Sequence, residues 1–302
     1  MRSSNPRFSR SAKGLFRSFL LGAFALTALP LQAADTREDW PDTIHFANTE
    51  LSGLSQLQRK YGPFRDALES ALGMEVEFTP VPSRTAAAIA LQSEEVDVVF
   101  TGPAEYVAIR SQTRVRPIIG LTRPGYRSVI AVRSDSDITS MQDLRGKTLL
   151  MEEIGSTSAH LGPTVLLNEA GLKPSEDVEV RMVGDNFIHA FANGRGDVLG
   201  AGAHDFAYLT DEYGNDRYRV IKEGQDLPND LFLARADMSK SLIAYIRKAL
   251  EENEQQLLDA ILSVESNRKY SESSFTTVRD SDYDPIREAY RAAGINDFSD
   301  AP

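Results

Sequence analysis

One pattern occurs twice in this chain, at positions one hundred residues apart. Ile89-Ala90-Leu91 precedes Val96-Asp97-Val98-Val99 and then Gly102, Glu105 and Tyr106; His189-Ala190-Phe191 precedes Gly196-Asp197-Val198-Leu199 and then Gly202, Asp205 and Phe206. Each copy reads as a helix, a buried strand and a glycine turn, and the acidic and aromatic positions match as well as the apolar ones. Around the first copy, 43–47, 75–79 and 96–100 read as strands, and 61–72, closed by Gly73, and the Ala-rich 85–92 as helices. Around the second, 129–133, the segment at Leu149, 178–183 and 198–200 read as strands and 188–192 as a helix, while 241–262 is a long amphipathic helix and 284–293 a shorter one. Alternation of this kind demands mostly parallel sheets covered by helices. The doubling points to two related α/β lobes, the plainer reading being that all βαβ units look alike. Ligands of such lobes sit at the carboxyl ends of the strands, which in a two-lobed chain face one another across a cleft.

The first residues carry Arg2, Arg7, Arg10, Lys13 and Arg17 and no acid, an apolar run follows over 19–31, and Gln32-Ala33-Ala34-Asp35 offers small residues for cleavage. Residues 1–34 therefore read as a secretory signal peptide, too short and too interrupted at Pro30 to span a bilayer. Cysteine is absent, which removes disulfides, thiol nucleophiles, cysteine metal sites and a lipid-anchored cysteine. An exported chain without an anchor fits a periplasm. Loss of the five signal cations takes the formal charge from -11 to about -16, so neither nucleic acid nor an anionic membrane surface is expected as a partner, and a monomer is expected. An anionic ligand would have to be caught by local dipoles and a few cations.

Such dipoles are offered by Gly155-Ser156-Thr157-Ser158-Ala159-His160, which follows the strand-like 147–151 and precedes helix-compatible sequence. Three hydroxyls where a strand hands over to a helix stand beside the unpaired N–H groups of the first turn, the makings of an oxyanion site. The alternative is that Ser156 or Thr157 is only a helix cap. No Gly-x-Ser-x-Gly elbow, His-Glu-x-x-His pair or complete Walker A sequence occurs, so catalysis is not expected and no cofactor or metal is called for.

Asp97-Val98-Val99-Phe100-Thr101-Gly102-Pro103-Ala104-Glu105-Tyr106-Val107, Asp143-Leu144-Arg145-Gly146-Lys147, the hydroxyl run, His189 before Gly194 and Asp197, and Leu227-Pro228-Asn229-Asp230 recur in this order. Together they resemble the solute-binding proteins of phosphonate, phosphite and phosphate ABC importers across nearly the whole mature chain. The resemblance implies a two-lobed type II periplasmic-binding fold, lobe I from 35–130 plus 229–302 and lobe II from 131–228, with hinge crossings near 128–132 and 226–232. It implies that Ser156, Thr157 and Ser158 bind a small phosphorus oxyanion, that His189 also reaches its oxygens, and that Tyr106 lines the cleft. Arg84 stands where many relatives have a tyrosine, either as a planar cationic fork for the anion or as a solvated helix-start residue. Asp230 matches one carboxylate that binds the ammonium of aminoalkylphosphonates in relatives; the other falls at His204 or Asp205. The implied partner is an ABC permease, or in the alternative a membrane sensor kinase that reads the closed state.

Overall fold

The structure is a computed structural model and describes residues 40–295 apart from 52, 83–85 and 175. The expected signal peptide and Arg84 lie outside the described residues. The chain begins with β1 (Thr43–Asn48), α1 (Leu54–Leu72), β2 (Glu75–Phe78), α2 (Ala86–Gln92), β3 (Val98–Thr101), α3 (Pro103–Gln112) and β4 (Val115–Leu121). It continues with β5 (Arg127–Arg133), β6 (Thr148–Met151), a π-helical turn over Thr157–Leu161, α4 (Gly162–Glu169), β7 (Glu179–Met182), α5 (Phe187–Ala192), β8 (Val198–Gly202), α6 (Ala203–Tyr213) and β9 (Tyr218–Asp226). It closes with β10 (Asp230–Arg235), α7 (Lys240–Glu252), α8 (Glu254–Leu262), β11 (Phe275–Thr276) and α9 (Asp284–Ala292).

These strands form two sheets, ordered β11-β4-β10-β3-β1-β2 and β7-β6-β8-β5-β9. In the first, β1 lies parallel between β2 and β3, and β10 runs antiparallel beyond β3. In the second, β6 lies parallel between β7 and β8, and β5 runs antiparallel beyond β8. The doubled sequence pattern is therefore a doubled structural unit. Its two aspartates do the same job: Asp97 accepts the N–H of His45, and Asp197 that of Thr148, each at 2.9 Å. Each carboxylate pins the foot of one strand to its parallel neighbour.

The strand antiparallel to β3 comes from after the second crossing and the one antiparallel to β8 from after the first, so each sheet receives a strand across the hinge. The expected boundary at 130 and the crossing at 128–132 are corrected by this arrangement. Arg127–Arg133 is one strand that pairs on both edges within the second sheet, and the chain crosses at 122–126 instead. The strand is legible from its β-branched run, but nothing local says which sheet it joins. The return runs through 227–229, inside the expected segment.

Helix α1 buries Leu57, Tyr61, Phe64, Leu68 and Leu72 along one face, and Gly73 ends it in the left-handed region at φ 61°. The helix expected over 241–262 is two, because Asn253 leaves helical geometry and turns its side-chain amide onto the Ala249 carbonyl at 2.8 Å. The first sheet packs Phe46 and Phe64 around a stacked Phe100–Phe232 pair with centroids 4.4 Å apart. A further cluster joins Leu161 of the π-turn to Ala104 and Tyr106 of α3 and to Ile286 and Tyr290 of α9, so apolar packing ties the two halves together behind the cleft.

Candidate ligand-binding cleft

At the carboxyl ends of β3 and β8 the chain turns through Gly102 and Gly202 into α3 and α6. Neither turn has room for a side chain. A Cβ on Gly102 would lie 2.7 Å from Glu105 Oε2, and one on Gly202 would lie 2.8 Å from Ser158 Oγ and 2.7 Å from the His204 ring. The glycines of the repeat thus let a carboxylate at the third helical position, Glu105 or Asp205, fold back over the helix start; Asp205 accepts the Gly202 N–H at 2.9 Å.

The third helix start is the hydroxyl run. Gly155 sits at φ 93°, and the next residues wind into a π-type turn with Leu161 N–H on Ser156 O at 3.0 Å. Ser156 Oγ caps this turn by accepting the Ala159 N–H at 3.3 Å, so the capping role is realised for that residue. Thr157 Oγ1 accepts the Ala104 N–H of α3 at 3.1 Å, a bond between the two halves of the molecule. His160 fixes the turn from beneath, Nδ1 accepting the Gly155 N–H at 3.1 Å; burial pushes its imidazole down to about 4, which keeps it neutral and that nitrogen an acceptor.

Ser156, Thr157 and Ser158 are buried and together line a cleft of about 740 Å³. Glu50, Leu51, Tyr61 and Glu105 also line it, as do Arg123 and Tyr126, which are buried in the crossing segment and form its floor, and Lys60, Glu152, Asp185, Tyr208, Asp211 and the stretch 265–269. Among the described residues, seven carboxylates and four cationic side chains line the cleft. Three of the cations are already engaged: Lys269 holds Glu50 at 2.7 Å, Arg268 meets Glu265 at 3.0 Å, and Arg123 meets Asp230 at 3.3 Å. No group of three or more His, Asp and Glu among the described residues is arranged to hold a metal ion.

The other expected residues divide. His204 and Asp205 both line the cleft. Arg123 Nη2 lies 3.5 Å from His204 Nδ1, and His204 Nε2 lies 3.2 Å from Asp205 Oδ1. Because arginine can only donate, Nδ1 accepts and Nε2 carries the proton toward Asp205. Burial, reinforced by Arg123, holds the imidazole well below its ordinary range, and burial pushes the Asp205 carboxyl up to about 6. Asp230 lies buried behind Arg123 rather than in the wall, with both oxygens 3.3 Å from Nη1 and one accepting the Tyr270 hydroxyl at 2.8 Å.

Two further expectations are corrected. Tyr106 is a core residue: its ring packs edge-on against Tyr283 and its hydroxyl donates to Asp280 at 2.6 Å, away from the cleft. It falls five residues into the αβ repeat, on the face of α3 that turns to the sheet and α9. His189 is exposed on α5 and pairs with the Tyr213 hydroxyl, so the structure does not bring it to the hydroxyl run. The residues that sequence reasoning missed are Arg123 and Tyr126, in the turn Arg123-Pro124-Gly125-Tyr126, and Glu105, which the repeat had already paired with Asp205. The signal available was that pairing: if Asp205 faces a cleft, its repeat partner does too.

Residues 53–283 match the family model described as ABC transporter, phosphonate, periplasmic substrate-binding protein. The chain belongs to this family. Among curated relatives, the phosphate-import protein PhnD of Mycolicibacterium smegmatis is 31% identical over 147 residues, 46% of this chain and 46% of that protein. The tetrathionate sensor histidine kinase TtrS of Salmonella typhimurium is 34% identical over 103 residues, 32% of this chain and 17% of that protein. The matched stretches thus span less than half the length of either relative. Among solved structures, PhnD1 from Prochlorococcus marinus in complex with methylphosphonate superposes with a TM-score of 0.69 at 18% identity, covering 84% of this chain and 99% of that one. At that identity the likeness speaks to the fold: two sheets flanked by helices, the two-lobed type II architecture of periplasmic binding proteins.

Proposed function

We propose that this protein captures a small phosphorus oxyanion in the periplasm, holding its oxygens at Thr157 and Ser158, and delivers it to an ABC permease. The observation that carries the reading is the buried hydroxyl run at the head of the π-turn, open to a cleft of about 740 Å³ in a chain of this family. Hydroxyl and backbone donors fixed at a turn N-terminus bind tetrahedral oxyanions without a metal. Within the run, Ser156 caps the turn while Thr157 and Ser158 turn to the cleft. Of the proteins named above, that of Mycolicibacterium smegmatis is a phosphate-import protein and that of Prochlorococcus marinus is solved in complex with methylphosphonate. No described helix is long and apolar enough to cross a membrane, and residues 1–34 are the signal that takes the chain out of the cytoplasm.

The surplus of carboxylates narrows the ligand class. A bare dianion would meet seven acids, two of them paired with Lys269 and Arg268, against four cations, three of them engaged, whereas an organophosphonate with a cationic substituent finds carboxylates for its charge as well. A thermal-shift panel of phosphate, phosphite, methylphosphonate, 2-aminoethylphosphonate, sulfate and tetrathionate tests this. A ligand at about a hundred times its dissociation constant adds roughly 2.7 kcal/mol, and the aminoalkylphosphonate should rank first. A response to sulfur oxyanions alone would sink the reading.

A second reading, that closure signals to a membrane kinase, is favoured by the stretch similar to the tetrathionate sensor. Adjacent genes decide it: a permease and ATPase support import, a response regulator supports sensing.

A further inference from the structure

The cleft floor contains a cation whose construction goes beyond a hinge brace. Arg123 lies on the segment 122–126 that carries the chain out of the first sheet, and Asp230 opens the strand that brings it back. The Arg123 side chain is 4% exposed, and its guanidinium rests on the Tyr126 ring, Cζ 3.5 Å from the centroid. Nη1 reaches both Asp230 oxygens at 3.3 Å, and Nη2 reaches His204 at 3.5 Å. A guanidinium has five N–H donors and no acceptor, and these contacts engage three at most. They are also long, since a charge-assisted N–H···O bond normally closes to roughly 2.7–2.9 Å. Asp230 and Tyr126 therefore fix the plane of the cation without saturating it, and the remaining edge borders the cleft. Tyr126 and Thr157 both line the cleft, so the ring that carries the guanidinium borders the same space as the hydroxyl run.

We propose that Arg123 is the specificity-determining cation of the site: its unengaged edge closes on the ligand oxygens that Thr157 and Ser158 hold, and Asp230 positions it and sets how much of its charge the ligand meets. The inference rests on the oxyanion reading above. It gives the two partners opposite signs. Removing the cation weakens binding, whereas neutralising Asp230 leaves Arg123 less compensated and strengthens it, more for a ligand with two charges than for one. A pair that only braced the crossing would loosen the site from either end.

The experiment titrates methylphosphonate and inorganic phosphate into the wild type, Asp230→Asn and the double variant Arg123→Met with Asp230→Asn, which leaves no orphaned carboxylate, and records each unliganded melting temperature. The double variant should bind roughly 10- to 100-fold more weakly, the scale of one lost charge-assisted hydrogen bond or two. Asp230→Asn should bind a few-fold more tightly, with the gain larger for phosphate. A double variant with wild-type affinity, or weakening of similar size in both variants, overturns the inference. If the double variant does not fold, Arg123→Lys decides: it keeps the charge and loses the planar fork, so weakening by roughly tenfold supports the assignment and unchanged affinity overturns it. A wild type that binds neither probe overturns the oxyanion reading and the inference with it, while a binding wild type matched by the double variant removes the inference alone.

Discussion

Asp205→Asn should change the way stability depends on pH, by an amount set by the cleft. Burial at the head of α6 holds the carboxyl at about 6, against the Gly202 N–H and the Arg123 charge. The unfolded chain releases the same proton near pH ~4. Between those values the native state binds the extra proton, so the contribution of Asp205 to stability is fully present below about pH 4 and is lost as the pH rises through the folded value. A shift of roughly two units corresponds to about 3 kcal/mol as an upper bound. Cleft water reaches the side chain, which is 22% exposed, and screening reduces the expected term to about 1–2 kcal/mol. Buried His160 and half-buried His204 act in the other direction, because their folded values lie below the unfolded one and their contributions fade as the pH falls. The wild-type curve is thus composite, and the difference between wild type and Asp205→Asn removes the His160 contribution and reports Asp205 together with its partner His204. Urea unfolding of both proteins from about pH 4 to about pH 7.5 should show the variant gaining about 1–2 kcal/mol on the wild type across that window. A difference that stays constant with pH would refute the claim that the fold holds this carboxyl out of its ordinary range.

Thr157→Val keeps the shape and removes the hydroxyl, so calorimetric titration should show affinity for the bound phosphonate falling by about 1.5–3 kcal/mol, with a smaller loss of about 1 kcal/mol in unliganded stability from the orphaned Ala104 N–H. His189→Ala should leave that affinity within about twofold, since the ring is exposed on α5; a tenfold loss would return it to the site. Gly162→Ala would set a Cβ 1.8 Å from Ser128 Oγ and should lower the unfolding free energy by about 1–3 kcal/mol, and Ser128→Gly in the same chain should recover most of it. Denaturant melts of the single and double variants check the last pair.

The repeat made the fold legible. Periodicity placed β1, β2, β6 and β8 to within a residue or two, and Asp97 and Asp197 marked equivalent strands before either sheet was seen. Pairing partners across the crossings were not legible, because β5 and β10 join the sheets by long-range contacts that leave no local trace. Helix α1 starts at Leu54, seven residues before the amphipathic signal is strong, since Leu57 is the one buried side chain of its first turns. In the site, the hydroxyl run was readable as a helix start, and Asp205 through the repeat and the resemblance. Arg123 was not: in Arg123-Pro124-Gly125 it looks like a turn residue, and only the packing of Tyr126 and Asp230 around it makes it part of the floor. Tyr106 and His189 erred for the opposite reason, since a motif fixes a position along a helix but not which face the tertiary structure turns to the ligand.

A crystal structure with 2-aminoethylphosphonate bound would test whether Thr157 and Ser158 hold the oxygens of a phosphorus oxyanion in the cleft. The phosphonate oxygens should lie within hydrogen-bond reach of both hydroxyls and of the Arg123 edge, with the ammonium turned to the carboxylates of the cleft. A phosphonate group seated instead on Arg268 and Lys269 at the rim, with the hydroxyl run bonded only to water, would contradict that placement.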